Sequence, residues 1–199
     1  MNKISIPLFP LNGVIFFPNS NLPLNIFEER YLEMIDFSLS SNKLIGMIQV
    51  DKNKKLYKIG CIGKISSFYE TNDGRYIINL IVKNYFTIKK ELSILKKFKI
   101  ADVEIHPIEN RNTLNGFNKG FLLEKYKKYI ENQNIKINFN LINQIENEEL
   151  FKFIIMSCQF STEDKQMLLE TYNLSDLANK LISLFEFYQH SQNNKNLFN

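Results

Sequence analysis

The chain has 199 residues, 44% hydrophobic and 23% charged with a net charge of +4. That is enough apolar material for a packed core, far from the composition of disordered chains. No apolar run approaches the roughly 18 residues of a transmembrane helix, and Pro7 and Pro10 interrupt the opening stretch before a signal-peptide core forms, so a cytoplasmic protein is expected. Cys61 and Cys158 lie far apart without C-x-x-C spacing, which argues against a disulfide framework or a zinc knuckle. The basic balance comes from 22 Lys against 3 Arg, alongside 26 Ile and 26 Asn. This trend reads as AT-rich codon usage rather than selection for phosphate binding, which favours the bidentate Arg.

In chain order, residues 3 to 9 and 13 to 17 are short β-prone runs bounded by Pro7, Pro10, Gly13 and Pro18, so edge or bent strands are expected. Phe27 to Leu39 predicts an amphipathic helix, with Phe27, Tyr31, Met34, Ile35 and Ser38 along one side and Asn25 as its cap. Leu44 to Val50 and Leu56 to Tyr69 follow as strands. The sequence Thr71-Asn72-Asp73-Gly74 supplies turn chemistry leading into the alternating run Tyr76, Ile78, Leu80, Val82, the strongest hairpin signal in the chain. In Phe98 to Ile108 the apolar alternation shifts register at Ala101, which predicts a bulge or bend there and a sheet that curls toward a barrel.

Beyond His106-Pro107 the periodicity becomes helical, after an Asn-rich connector at 110 to 116. Phe117 to Glu131 places Phe117, Phe121, Leu122, Tyr126 and Tyr129 or Ile130 on one face. Residues 132 to 146 are ambiguous. Glu148 to Gln159 is a short apolar helix, and Ser161-Thr162-Glu163-Asp164 is a capping box opening the next. Ser175 is the expected cap of a last helix carrying Leu177, Leu181, Leu184, Phe185 and Tyr188, and the tail from Ser191 is expected to fray.

Catalytic signals are missing from this pattern. There is no G-x-x-x-x-G-K-[ST] loop and no G-x-G-x-x-G after a strand, which argues against nucleotide use. The two histidines, His106 and His190, offer no metal-ligand spacing, and no G-x-S-x-G elbow occurs. Cys61, between Ile and Gly in a strand, reads as an inert buried thiol. No cofactor, metal or catalytic residue is expected. Lysines at 52, 54, 55 and 58 and at 89, 90, 96, 97 and 99, interleaved with Tyr57, Phe86 and Phe98, could form a nucleic-acid patch; the acids among them, Asp51 and Glu91, favour a solvated face.

One stretch is more specific. Ile6-Pro7-Leu8-Phe9-Pro10-Leu11, Gly13-Val14-Ile15-Phe16-Phe17-Pro18 and Leu22-Pro23-Leu24-Asn25-Ile26-Phe27-Glu28-Glu29-Arg30-Tyr31 resemble the N-terminal, substrate-binding domain of Lon proteases. The likeness continues through Gly60-Cys61-Ile62-Gly63, Asp73-Gly74-Arg75-Tyr76, Ala101-Asp102-Val103-Glu104 and, among the C-terminal helices, Phe160-Ser161 and Leu168-Leu169-Glu170. It departs at Val82-Lys83-Asn84-Tyr85-Phe86, where the family carries Gly and Arg, and at Gln159, where proline is usual.

The resemblance implies an α+β fold: an N-terminal PUA-like curled β-barrel with one inserted helix over 1–109, a C-terminal helical bundle over 110–190, and a disordered tail at 191–199. It implies a non-enzymatic module that binds unfolded or extended polypeptide, with an ATP-dependent protease as a further partner, no membrane, and an RNA-binding alternative through the PUA likeness. The ATPase and peptidase of the full protease are expected to be absent. Glu28, Arg30 and Tyr31 match the family's motif, and their expected role is to tie the barrel strands to the helix, with ligand contact as the alternative.

Overall fold

The structure, a computed structural model, describes residues 3–17, 19–93, 95–106, 118–131, 133 and 137–196, with the side chains of 148 and 191–196 outside the description. The chain divides into two compact units, residues 1–109 and 110–199. The first holds strands β1 (Lys3–Leu11), β2 (Asn21–Ile26), β3 (Leu44–Gln49), β4 (Ile59–Glu70), β5 (Tyr76–Leu92) and β6 (Lys99–His106), with helix α1 (Glu29–Leu39) between β2 and β3. The strands form one mixed sheet in the order β2-β5-β4-β3-β1-β6, and β5 also pairs with β6, so the pairings β5-β4-β3-β1-β6 return to β5. Among the described strands, only β1 and β3 run parallel.

The long β5 makes this possible. Its first half pairs with β2, Leu22 opposite Leu80, and its second half pairs with β6, Phe86 opposite Ile105. Even-numbered residues Ile78, Leu80 and Val82 turn inward and are fully buried, as the alternation predicts. A cluster of Ile6, Leu8, Ile48, Ile62, Phe86, Ala101 and Val103 is likewise buried. Gly46 and Gly60 let strands and rings approach. A methyl group on Gly46 would lie 2.8 Å from Ile6 Cδ1 and 2.9 Å from Leu8 Cδ2.

Several local expectations change. Residues 14 to 17 form no strand, although Ile15, Phe16 and Phe17 are buried, because Phe16's carbonyl accepts from the Cys61 thiol (2.9 Å) and Phe17's from Ser20. The strand lies instead at Asn21–Ile26, where Pro23 and two asparagines weaken the sequence signal. Helix α1 is capped at Glu28 rather than Asn25, since Asn25 is still paired to Ile77 in β2. β6 keeps an unbroken register with β1 through Ala101; the bulge falls on β5, where Lys89 is the extra residue between Ile88 and Lys90. The hairpin at Thr71–Arg75 is as expected, with Gly74 at φ 79° and the Gly74 amide donating to Thr71 (3.0 Å).

The second unit contains α2 (Lys119–Glu131), α3 (Phe139–Ile142), α4 (Asn147–Ser157), α5 (Thr162–Leu169) and α6 (Leu174–Asn196). Its interior is aromatic. Tyr129 and Phe185 rings lie 5.2 Å apart, and Tyr129 and Phe160 5.5 Å, tilted as ring quadrupoles favour. The hydroxyls are satisfied: Tyr126 meets Ser157 Oγ at 2.8 Å and Tyr129 accepts from the Gln159 amide at 3.2 Å. Phe121, expected on the buried face, is instead exposed, with Lys125 Nζ 5.2 Å from its ring; Leu123 is buried in its place.

At α6 the cap is Asn173, not Ser175. Its side-chain oxygen accepts from the amides of Ser175 (2.8 Å) and Asp176 (3.1 Å). The capping box at α5 forms as read on one side, Ser161 Oγ accepting from the Asp164 amide at 3.1 Å. Asp164's carboxylate, however, takes the Ser161 and Tyr188 hydroxyls, and the Ser161 amide goes to Tyr188. Helix α6 runs on through Asn196, past Ser191, because no Gly or Pro stops it. The connector at 110 to 116 and the tail's last three residues lie outside the described residues, as does part of the ambiguous stretch 132 to 146.

Candidate functional site

The inward alternation of β5 has an outward counterpart. Residues 77, 79, 81 and 83 share the opposite face. Ile77 stands directly across from Tyr69 on β4 and from Asn25 on β2, and both apolar side chains are open to solvent, Ile77 at 46% and Tyr69 at 62%. Phe27, the residue after β2, is 67% exposed. Cross-strand neighbours on one face lie about 5 Å apart at Cβ, so Tyr69 and Ile77 form one continuous apolar surface.

Beside it runs an open strand edge. β2 pairs with β5 alone among the described strands. The Val82 amide donates to the Ser20 carbonyl (2.9 Å), and by the alternation of antiparallel ladders residues 22, 24 and 26 bond to β5 while 21, 23 and 25 turn their backbone outward. Pro23, which has no N–H, sits at an outward position, where a proline costs the sheet nothing.

Further along the same face the surface becomes basic. Lys43, Lys64 and Lys83 line a hollow of about 610 Å³ together with Ser41, Asn42, Ile65, Ser66 and Ile81. Two β-bulges build it. Between β4 and β5 the register shifts once at Lys83, the extra residue on β5, and again at Ser66, the extra residue on β4, and both extra residues line the hollow. Bulges re-aim side chains in this way. The rim at 41–43 is pinned: Lys43 has φ 61°, its amide donates to Ser38 (2.9 Å), and its carbonyl accepts from Ile65 (2.9 Å). None of the three lysines forms an ion pair among the described residues.

The lysines singled out by sequence fare differently. Lys89 pairs with Glu104 and Lys97 with Glu29, while Lys99 meets Glu91 at 2.7 Å and Lys96 meets Glu33 at 3.6 Å. Four of the five charges in that group are answered by carboxylates. The 52–58 group surrounds a tight turn organised by Asp51, whose carboxylate accepts from the amides of Asn53 and Lys55, both 2.8 Å.

Glu28, Arg30 and Tyr31 are brought together at the start of α1. Arg30 Nη2 lies 2.7 Å from Glu28 Oε2, with both side chains about half exposed, and its guanidinium sits 4.5 Å from the Tyr31 ring centre. The ion pair closes within the turn. Tyr31 is buried edge-on against Phe9 of β1 at 4.5 Å.

Both cysteines are buried, and burial pushes the Cys158 thiol up to about 12. No group of three or more His, Cys, Asp or Glu suited to a metal occurs among the described residues, and no described helix is long and apolar enough to cross a membrane.

Sequence reasoning missed Tyr69, Ile77, Lys43, Lys64 and Lys83. A signal for part of this was present. Once Tyr76, Ile78, Leu80 and Val82 are assigned inward, Ile77 and Ile81 must face out, and two outward isoleucines on one strand call for a partner surface.

A model of the family described as the ATP-dependent protease La (LON) substrate-binding domain matches residues 5–186. Among curated relatives, the chain is 27% identical to a Lon protease of Buchnera aphidicola subsp. Acyrthosiphon pisum over 92% of its own length and 25% of that protein's. It is 26% identical to one of Dictyoglomus thermophilum over 88% and 23%. The chain thus spans about a quarter of the relatives it matches. Among solved structures, a Lon N-terminal domain protein from Xanthomonas campestris superposes with a TM-score of 0.68 at 18% identity, covering 90% of this chain and 98% of that one. The N-terminal domain of a Mycobacterium avium complex Lon protease gives 0.64 at 16%, covering 92% and 98%.

Proposed function

Since the chain belongs to the Lon substrate-binding domain family, we propose that it is a non-catalytic module that holds unfolded or extended polypeptide on the outer face of β4 and β5. The observation that carries this is the exposed Tyr69–Ile77 pair beside the open edge of β2. An extended chain has unsatisfied backbone groups and intermittent apolar side chains. The edge answers the first and the aromatic–aliphatic surface the second, at low entropic cost because both strands are already ordered.

The closed ring of pairings supports reading the first unit as a curled barrel of the PUA-like kind, with 1–109, 110–190 and 191–199 as barrel, helical subdomain and tail. In this reading Glu28, Arg30 and Tyr31 are structural and the protein works in the cytoplasm. An ATP-dependent protease is the natural second partner, because the matched relatives carry this region within chains about four times as long. The RNA-binding alternative has less behind it, given the carboxylates that pair Lys89, Lys96, Lys97 and Lys99.

The test is fluorescence anisotropy with a labelled, permanently unfolded polypeptide at 0.05 and 0.3 M NaCl, with homopolymer RNA as a second arm. The expected result is salt-tolerant polypeptide binding that weakens at least tenfold in Tyr69→Ser/Ile77→Ser. Unchanged affinity in that variant, or binding to RNA alone, would overturn the reading.

A further inference from the structure

Resting on the polypeptide-binding reading above, we propose that the hollow lined by Lys43, Lys64 and Lys83 receives an acidic stretch of the bound polypeptide, displaced by about four residues from the segment that packs on Tyr69 and Ile77. The face is continuous. Ile77, Asn79, Ile81 and Lys83 follow one another along the outer side of β5, and Lys64 stands opposite Ile81 on β4. From Ile77 to Ile81 is four residues of strand, roughly 13 Å, which an extended ligand also spans with four residues.

The occupant follows from charge. Three ammonium groups from three places in the chain share one concavity without a carboxylate pairing any of them. Elsewhere in this unit the neighbouring lysines Lys89, Lys96, Lys97 and Lys99 are each matched to an acid. Uncompensated like charges held together by a pinned loop and two bulges repel one another, and a carboxylate entering from outside relieves that repulsion. Ser41, Asn42 and Ser66 add neutral polar groups around the ammoniums, and Ile65 and Ile81 supply an apolar floor for methylene groups. At about 610 Å³ the hollow has room for more than one Asp or Glu side chain.

The experiment uses the full chain and two labelled peptides of equal length. Both carry the same apolar segment, followed four residues later by Asp-Glu-Glu in one and Asn-Gln-Gln in the other, with inorganic polyphosphate as a competitor. The acidic peptide is expected to bind about tenfold more tightly at 0.05 M NaCl, with the advantage shrinking in 0.3 M NaCl.

In Lys64→Gln/Lys83→Gln, the advantage is expected to vanish while the amide peptide binds as before. Lys52→Gln/Lys55→Gln, which removes the same charge away from the hollow, is expected to retain it. Circular dichroism melts confirm that both variants fold. Equal binding of the two peptides, or an advantage that survives in the first variant or is lost equally in the second, overturns this inference and leaves polypeptide binding standing. Polyphosphate binding at the hollow without any preference for the acidic peptide likewise overturns it. Failure of both peptides to bind overturns both.

Discussion

A methyl group on Gly60 would run into the Met47 carbonyl of the neighbouring strand and lie 2.8 Å from the Phe86 ring. Neither obstacle can rotate away cheaply, since one is backbone and the other is fully buried. Gly60→Ala should therefore destabilise the protein by about 1–3 kcal/mol, read as a lowered urea midpoint at unchanged m-value.

Buried phenols and a thiol set a second residue-scale expectation. Burial raises Tyr126 and Cys158 to about 12, and raises Tyr129 in the same direction. In the unfolded chain these groups ionise near 10 for Tyr and about 8.5 for Cys, so as pH rises the unfolded state gives up its protons first. The stability they contribute is full below about pH 8.5 and drains away as pH climbs through about 12. Urea unfolding at pH 8 and pH 10.5 should show the loss, and Cys158→Ala should flatten it. An unchanged slope in that variant would mean the thiol ionises freely in the fold.

Helix termini and strand edges are where the next scale up decides. Asn173 satisfies two orphan amides of α6 and Ser161 one of α5. Asn173→Ala and Ser161→Ala should each cost about 1 kcal/mol, measured by thermal unfolding. These caps also show what the sequence could and could not disclose. Ser161 was readable because its partner Asp164 sits at the fixed capping-box spacing. Asn173 was masked by Ser175, an equally good cap residue two positions on, and only the backbone geometry chooses between them.

β2 escaped notice for a related reason. Pro23, Asn21 and Asn25 all disfavour strand, yet they occupy the outward-bonding positions where a strand residue needs no propensity at all. The hairpin at Thr71–Arg75 was legible because turn chemistry is local. The bulge at Lys89 was not. It follows from how β5 meets β6, and a shift in the alternation of β6 pointed to the wrong strand of that pair.

At the scale of the molecule, composition announced a packed chain, and a run of residues near the N-terminus carried the family. The outer face of β4 and β5 did not announce itself. Lys43, Lys64 and Lys83 are scattered over 41 positions and come to line one hollow only through β3–β4 and β4–β5 pairing, which no local pattern encodes. Of the lysines that cluster in sequence, Lys89, Lys96, Lys97 and Lys99 are paired with carboxylates by the fold.

The wide reach of β1 carries one more implication. It lies against β3 and β6, and Ser5 Oγ donates to a carboxylate 97 residues later, at Asp102. A ribosome adding roughly 5–20 residues per second leaves this first segment waiting roughly 5–20 s for its final neighbour. During that interval Ile4, Ile6 and Leu8 have no β6 to pair with. Pro7 and Pro10 remove two amide donors from it, which lowers the capacity of the unpaired segment to join a strand of another chain.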